Sequence, residues 1–111
     1  MPTQEQLMAY SRTLPEIYKV IFWAFPSTAP ERKAGDGLAF SSLATYFEEH
    51  KYNYDLEEII EACRRLEENG FLEIRHDIIA QPTPLGEQLI GVITGKWASK
   101  RTVPELPKPT W

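Results

Sequence analysis

The side chains best suited to covalent or metal chemistry in this chain are one cysteine and two histidines. Cys63 falls on the apolar stripe of a predicted helix, where a thiol is a small inert core residue. His50 and His76 are separated by a predicted helix and a predicted strand. They lack the short His-x-x-x-His or Cys-x-x-Cys spacing that zinc ligands usually have. We therefore predict no nucleophile, no metal and no cofactor.

Paired carboxylates are another route to catalysis, because one can hold a proton while the other stays ionised. Glu48 and Glu49 are adjacent, as are Glu57 and Glu58, and neighbouring residues of a helix point in different directions. The glycines are scattered and form no phosphate-binding loop. These observations predict that the chain is not an enzyme.

Length and composition are those of an ordinary globular domain. The 111 residues, 42% of them hydrophobic, are enough for one core. No run reaches the roughly 18 apolar residues of a membrane span, and the N-terminus lacks the pattern of a signal peptide. One cysteine cannot form an internal disulfide. We predict a cytoplasmic protein with no membrane partner.

Charge is unevenly distributed along the chain. Sixteen acidic and twelve basic residues give a net charge of −4. From Lys96 to the C-terminus four bases stand against one acid, so a basic tail follows an acidic body. An overall acidic charge disfavours general binding to polyanions.

Two helices and a strand fragment are predicted in the first half. Thr3 with Gln6 forms a capping box, and Thr13 with Glu16 repeats the pattern before a second helix. Pro26 is expected to end that helix. Its apolar stripe consists of Ile17, Val20, Ile21, Ala24 and Phe25. Residues 38–40 form a short strand fragment, and Ser41 or Ser42 is expected to cap the next helix.

A further helix is predicted between two clear signals. Asp55 and Glu58 form a capping box, and Gly70 stands where a left-handed helix end is usual. On a helical wheel the apolar side carries Leu56, Ile59, Ile60, Cys63 and Leu66. The opposite side carries four acids and one base, namely Glu57, Glu58, Glu61, Arg65 and Glu68.

A hairpin and a last helix follow. Residues 71–75 alternate with a period of two, which predicts a half-buried strand, and residues 78–80 return after a tight turn at His76 and Asp77. Thr83 and Pro84 begin a helix that is expected to run to about Trp97.

The chain resembles a winged helix-turn-helix domain, particularly the small bacterial regulators of the MarR and PadR types. The matching stretches are LAFSSLATYFEEH, DLEEIIEACRRLEENGFLEIR and PTPLGEQLI, within residues 13–93. The resemblance implies an α+β, mostly α fold: a three-helix core and a small antiparallel β-wing, with an extra N-terminal helix, a C-terminal helix and a tail. It implies one winged-helix domain over residues 1–97, with its core at about 13–93, and a basic, proline-rich tail at 98–111.

The resemblance also implies that the chain binds double-stranded DNA as a transcriptional regulator, with the outward side of the acidic helix in the major groove. The candidate DNA contacts are Lys51, Tyr52, Asn53, Arg64, Arg65, Arg75 and His76. The arginines have an alternative role in ion pairs with glutamates one helical turn away. Tyr52 and Tyr54 are open to both core packing and exposed contact.

A protein partner is the alternative hypothesis, because the acidic helix would repel the phosphates that flank a groove. In this interpretation the domain binds a basic protein surface through Glu57, Glu58, Glu61 and Glu68. A continuous positive strip across Lys51, Arg64, Arg65 and Arg75 would favour DNA, and an unbroken acidic surface would favour a protein.

Apolar residues near both ends of the domain predict a homodimer. They exceed what one small domain readily covers, and exposed apolar patches tend to mark interfaces. The candidates are Leu7, Met8, Tyr10, Ile90, Ile93 and Trp97.

In the tail, residues 104–107 fit P-x-x-P, a weak signal for an SH3-type partner. Packing of the tail on its own domain or on a second subunit, anchored by Trp111, is the preferred alternative.

Overall fold

Helices dominate the computed structural model, which describes residues 2–28, 31, 33, 35–93 and 106–109. The described part is a mostly helical α+β structure with five helices and three strands. In chain order the elements are α1 (Gln4–Thr13), α2 (Glu16–Thr28), β1 (Leu38–Ala39), α3 (Phe40–Glu49), α4 (Leu56–Glu68), β2 (Leu72–Arg75), β3 (Ile79–Pro82) and α5 (Pro84–Val92). The predicted boundary between domain and tail, at residues 97 and 98, lies outside the described residues.

The three strands form one antiparallel sheet in the order β1-β3-β2. Leu38 is opposite Ala80, and Leu72 is opposite Pro82. The strand between α2 and α3 therefore joins the hairpin that follows α4. This arrangement is compatible with a winged helix.

The predicted turn at the tip of the β2–β3 hairpin is confirmed. His76 and Asp77 have φ values of +55° and +57°, and the Ile78 N–H donates to the Arg75 carbonyl at 3.1 Å. Two successive left-handed residues make a type I′ turn, whose twist matches that of the flanking strands. Residues other than glycine rarely adopt this conformation, and asparagine, aspartate and histidine do so more often than the rest.

Changing the turn to Asn-Gly should stabilise the hairpin. Because both central residues are left-handed, we expect His76→Asn with Asp77→Gly to raise the free energy of unfolding by about 0.5–1 kcal/mol. Asp77→Val should lower it, since a β-branched residue is strained at positive φ. Urea unfolding of the three proteins measures both changes. Equal midpoints would contradict the left-handed turn.

Three predictions concern the N-terminal helices, and one of them is confirmed. The Thr3–Gln6 capping box is confirmed, with both bonds formed, at 2.8 and 3.2 Å. The second capping box is wrong, because Thr13 is the last residue of α1 and its hydroxyl donates to the Tyr10 carbonyl at 2.7 Å. Pro26 does not end α2, which continues to Thr28. Pro26 lacks the N–H that would bond the carbonyl four residues earlier, and the helix ends two residues after it.

The strand fragment is confirmed as β1, but neither Ser41 nor Ser42 caps α3. The N-cap residue is Ala39, whose side chain makes no capping bond. The N–H of Phe40 donates instead to the Ile78 carbonyl at 2.9 Å. Because β1 runs straight into α3, the sheet supplies an acceptor for the first N–H of the helix.

The boundaries of α4 agree with the sequence. Asp55 and Glu58 exchange capping bonds at 2.8 and 3.1 Å, and Gly70 has φ +83°. At the other end of the domain α5 stops at Val92 rather than near Trp97, and Ile93 is extended. The indole N–H of Trp23 donates to the Ile93 carbonyl at 3.5 Å, which joins the end of α5 to α2.

Aromatic residues form much of the core between α2, α3 and α4. Phe22, Phe25, Phe47 and Phe71 are fully buried, as is Tyr18. Burying a side chain of this size contributes roughly 1.5–3 kcal/mol. Buried residues of α1 and α5 join the same cluster, namely Leu7, Tyr10 and Leu89. The outer two helices therefore belong to the core of the domain.

The start of α5 is tied to the end of α4 through backbone contacts. The Thr83 N–H donates to the Phe71 carbonyl at 3.1 Å, and its hydroxyl donates to the Gly70 carbonyl at 2.6 Å. The same hydroxyl accepts from the Gly86 N–H at 3.1 Å. A Cβ on Gly86 would lie 2.0 Å from the Phe71 carbonyl oxygen. The junction therefore depends on Thr83 and Gly86 of the Thr-Pro-Leu-Gly sequence.

Candidate interaction surface

The outward side of α4 presents a line of charged residues. Glu57, Glu61, Arg64 and Glu68 are exposed at successive turns of the helix, and we call these four residues the acidic face. The opposite side is buried through Ile59, Ala62, Cys63 and Leu66. The prediction that Leu56 faces the core is wrong, because 45% of it is exposed.

Arg65 lies at the flank of α4, where the sequence had placed it outward. It is half-buried, and its Nη2 donates to Glu61 Oε1 at 3.1 Å. A hydrogen bond with Tyr18 and the nearby Glu61 carboxylate raise the pKa of its guanidinium above the ordinary value. Arg64, which is exposed, is the cation that the acidic face presents.

Two glutamates of α4 have structural partners. Glu58, a predicted partner-binding residue, is half-buried and accepts the Asp55 N–H in the capping box. Glu67 Oε2 accepts the Ile74 N–H at 2.7 Å, which joins α4 to β2. The helix periodicity gave no signal for the contact of Glu67. Glu57 and Glu68 are exposed on the same helix, as is Glu61, which is the ion-pair partner of Arg65.

The connection between α3 and α4 divides into an exposed and a packed part. Lys51, with φ +61°, and Asn53 are exposed. Tyr52 is half-buried with its ring 6.0 Å from that of Phe47, and burial is the main cause of the raised pKa of its hydroxyl. Tyr54 is a core residue whose hydroxyl donates to Glu16 at 3.4 Å. Tyr54 is therefore a core residue, whereas Tyr52 packs on the core and remains partly exposed.

The tip of the hairpin carries an exposed mixture of charged and apolar side chains. Nη2 of Arg75 lies 3.4 Å from Oε1 of Glu73. Exposed ion pairs of this kind contribute about 0–1 kcal/mol to the free energy of unfolding. His76 is exposed, as is 58% of Ile78.

Glutamates accompany the cations that were predicted to form a positive strip. Arg65 and Arg75 each have a glutamate partner. Glu57 lies in the first turn of α4, and Glu61 precedes Arg64 by one turn. An approaching polyanion would therefore meet carboxylates between the positive charges.

Apolar side chains border the acidic face at its N-terminal end. Exposed Leu56 is one turn from Ile60, which is half-buried. Beside them is an open groove of about 610 Å³. Its lining is formed by Ala44, Glu48, Tyr52, Asn53, Tyr54, Asp55, Leu56 and Glu58. Apolar contact area with an acidic rim is thus available in one place.

The residues predicted for a dimer interface are largely internal. Leu7, Tyr10 and Ile93 are buried within the monomer because α1 and α5 pack together. Met8 is 38% exposed, Ile90 is half-buried, and Trp97 lies outside the described residues. The three buried residues cannot provide the exposed patch from which the dimer was predicted, and the homodimer itself stays a prediction.

The described residues also bear on other kinds of site. Cys63 is fully buried, and burial raises the pKa of its thiol to about 12. No three histidine, cysteine, aspartate or glutamate side chains of the described part are grouped so that they could hold a metal. Within the same part, no helix combines the length and apolar character needed to cross a membrane.

Comparisons with protein-family models, with curated proteins and with solved structures gave no match.

Proposed function

We propose that the chain is a winged-helix module that binds a basic protein surface through the acidic face of α4. The carrying observation is that Glu57, Glu61 and Glu68 are exposed along three turns of one helix face. Glu61 of this face is also the ion-pair partner of Arg65, and Arg75 at the hairpin is paired with Glu73. Complementary charge of this kind guides encounter and sets register between proteins.

The winged-helix part of the proposal rests on topology and on local contacts. The sheet order β1-β3-β2 and a hairpin directly after α4 support it. The junction of Thr83 and Gly86 with the end of α4 gives a physical role to the Thr-Pro-x-Gly sequence that resembles the MarR and PadR types. In this fold α4 corresponds to the helix whose outward side enters the major groove in the DNA-binding regulators that the chain resembles.

The composition of the surface favours protein over DNA. Five glutamates and two arginines give α4 a net charge of −3. DNA affinity depends mainly on positive side chains that neutralise phosphates, so this charge opposes it. Exposed Leu56 and half-buried Ile60 add apolar area, and interfaces between proteins commonly surround such area with a polar rim.

DNA binding by a transcriptional regulator is the second candidate. It is favoured by the exposed Arg64 at the centre of the face and by Lys51 at the approach to the helix. Neither makes an ion pair with another described residue. Arg75 and His76 at the hairpin tip would then lie against the DNA backbone.

Fluorescence anisotropy can distinguish the two candidates with the full chain. The probes are a labelled lysine-and-leucine peptide and a labelled mixed-sequence DNA duplex, each at low and at physiological salt. We expect the peptide to bind and salt to weaken it, because charge attraction is screened. We expect no binding of the duplex. Duplex binding that Arg64→Ala and Lys51→Ala both weaken would support the DNA candidate instead.

A further inference from the structure

The C-terminal residues 106–109 lie between α1 and the last turn of α4. On one side, Leu106 and Lys108 share a cavity of about 330 Å³ with Arg65, Glu68 and Asn69. On the other side, Pro107 and Lys108 share a cavity of about 290 Å³ whose remaining lining is Gln6, Ala9, Tyr10 and Thr13. The segment therefore bridges the first helix and the acidic helix.

Two contacts hold this segment on the domain. The Tyr10 hydroxyl donates to the Pro107 carbonyl at 2.6 Å, between residues 97 positions apart. The Tyr10 ring is stacked on Phe71 with centroids 5.4 Å apart, so the core fixes the position of the hydroxyl. Leu106 is only 9% exposed and belongs to the same apolar cluster.

The charge of the segment complements the place where it lies. Lys108 is exposed and lines the same cavity as Glu68, at the C-terminal turn of α4. The negative end of a helix dipole favours a cation there. Beyond residue 95 the chain has four bases and one acid, against an acidic remainder.

We propose that residues 106–109 act as an intramolecular strap that competes with a basic partner for the C-terminal turn of α4. The competition rests on the proposed function of the acidic face. Glu68 belongs both to that face and to the lining of the strap's cavity, so a cationic partner bound at Glu68 would meet the like charge of Lys108 beside it. A strap docked in about 90% of molecules would lower the apparent affinity about tenfold.

Docking of the strap can be measured in the full chain with a nitroxide label on Pro109→Cys. Cys63 is fully buried, so the label attaches at position 109. We expect broadening of the backbone amide signals of α1 and of the last turn of α4. Leu106→Asn should remove this broadening. The polar amide would be buried among apolar side chains, which disfavours docking of the segment. Equal signals in the labelled chain and in its reduced, diamagnetic form would overturn the strap.

Competition is measured without the label, by anisotropy of the lysine-and-leucine peptide. Leu106→Asn and Lys108→Ala should each raise its affinity, the first by up to about tenfold. Lys33→Ala, an exposed position with the same charge change, is the control and should not reproduce the gain. Unchanged affinity in both strap variants would overturn the competition. If no variant binds the peptide, the proposed function fails, and the nitroxide measurement alone decides whether the strap docks.

Discussion

Gly86→Ala is expected to lower the free energy of unfolding by about 3 kcal/mol, the upper range for overpacking a tight site. The new Cβ would lie 2.0 Å from the Phe71 carbonyl oxygen, a backbone atom that cannot rotate away. α5 would have to move outward, which would stretch the bonds from Thr83 to Gly70 and Phe71. The melting temperature should fall by roughly 15 °C for a domain of this size.

Gly91→Ala is the matched control in the same helix. A Cβ at this exposed position meets nothing within 4 Å. Alanine is the better helix former, so the change should be neutral or stabilise by up to about 1 kcal/mol. Thermal unfolding followed by circular dichroism gives both values. Similar melting temperatures for the two alanine variants would mean that the close approach of α5 to Phe71 is not a feature of the folded protein.

The largest effect on binding is expected from Glu57→Lys combined with Glu61→Lys. Both side chains are exposed, whereas Glu58 is retained because it completes the cap of α4. The double change removes two attractions for a basic partner and creates two repulsions. We expect affinity for the lysine-and-leucine peptide to fall about a hundredfold, which corresponds to about 2.7 kcal/mol.

Glu5→Lys with Glu31→Lys is the control, because it changes the net charge equally at exposed positions outside α4. It should reduce peptide affinity only slightly. If both double variants weaken binding alike, general attraction by the acidic chain explains the result and the acidic face is not the site. If the α4 variant instead gains strong, salt-sensitive DNA binding over a wild type that already binds DNA, the DNA candidate is favoured.

The sequence by itself determined those elements whose bonds close within a few residues. The box of Asp55 and Glu58, the turn at His76 and Asp77 and the helix start at Thr83 are all as predicted. Each depends on a hydrogen bond or a backbone conformation that neighbouring residues settle, so residue type and spacing are sufficient. The same reason explains why the exposed positions of Glu57, Glu61 and Glu68 followed from helix periodicity.

Boundaries that depend on a distant partner could not be predicted from spacing. The start of α3 was expected at a serine, but the acceptor for Phe40 is the Ile78 carbonyl in the hairpin. The end of α5 was expected near Trp97, but the helix stops at Val92, next to the bond between Trp23 and Ile93.

Within the candidate site, only the tertiary structure decided which charges are available. Arg65 and Arg64 are equivalent in type and adjacent in sequence, yet Tyr18 of α2 binds the first and leaves the second exposed. Packing of the tail on its own domain was one of the expected alternatives, but the particular contact between Tyr10 and Pro107 had no signal in the sequence. Periodicity reports the geometry of one element, whereas such contacts depend on how separate elements pack against each other.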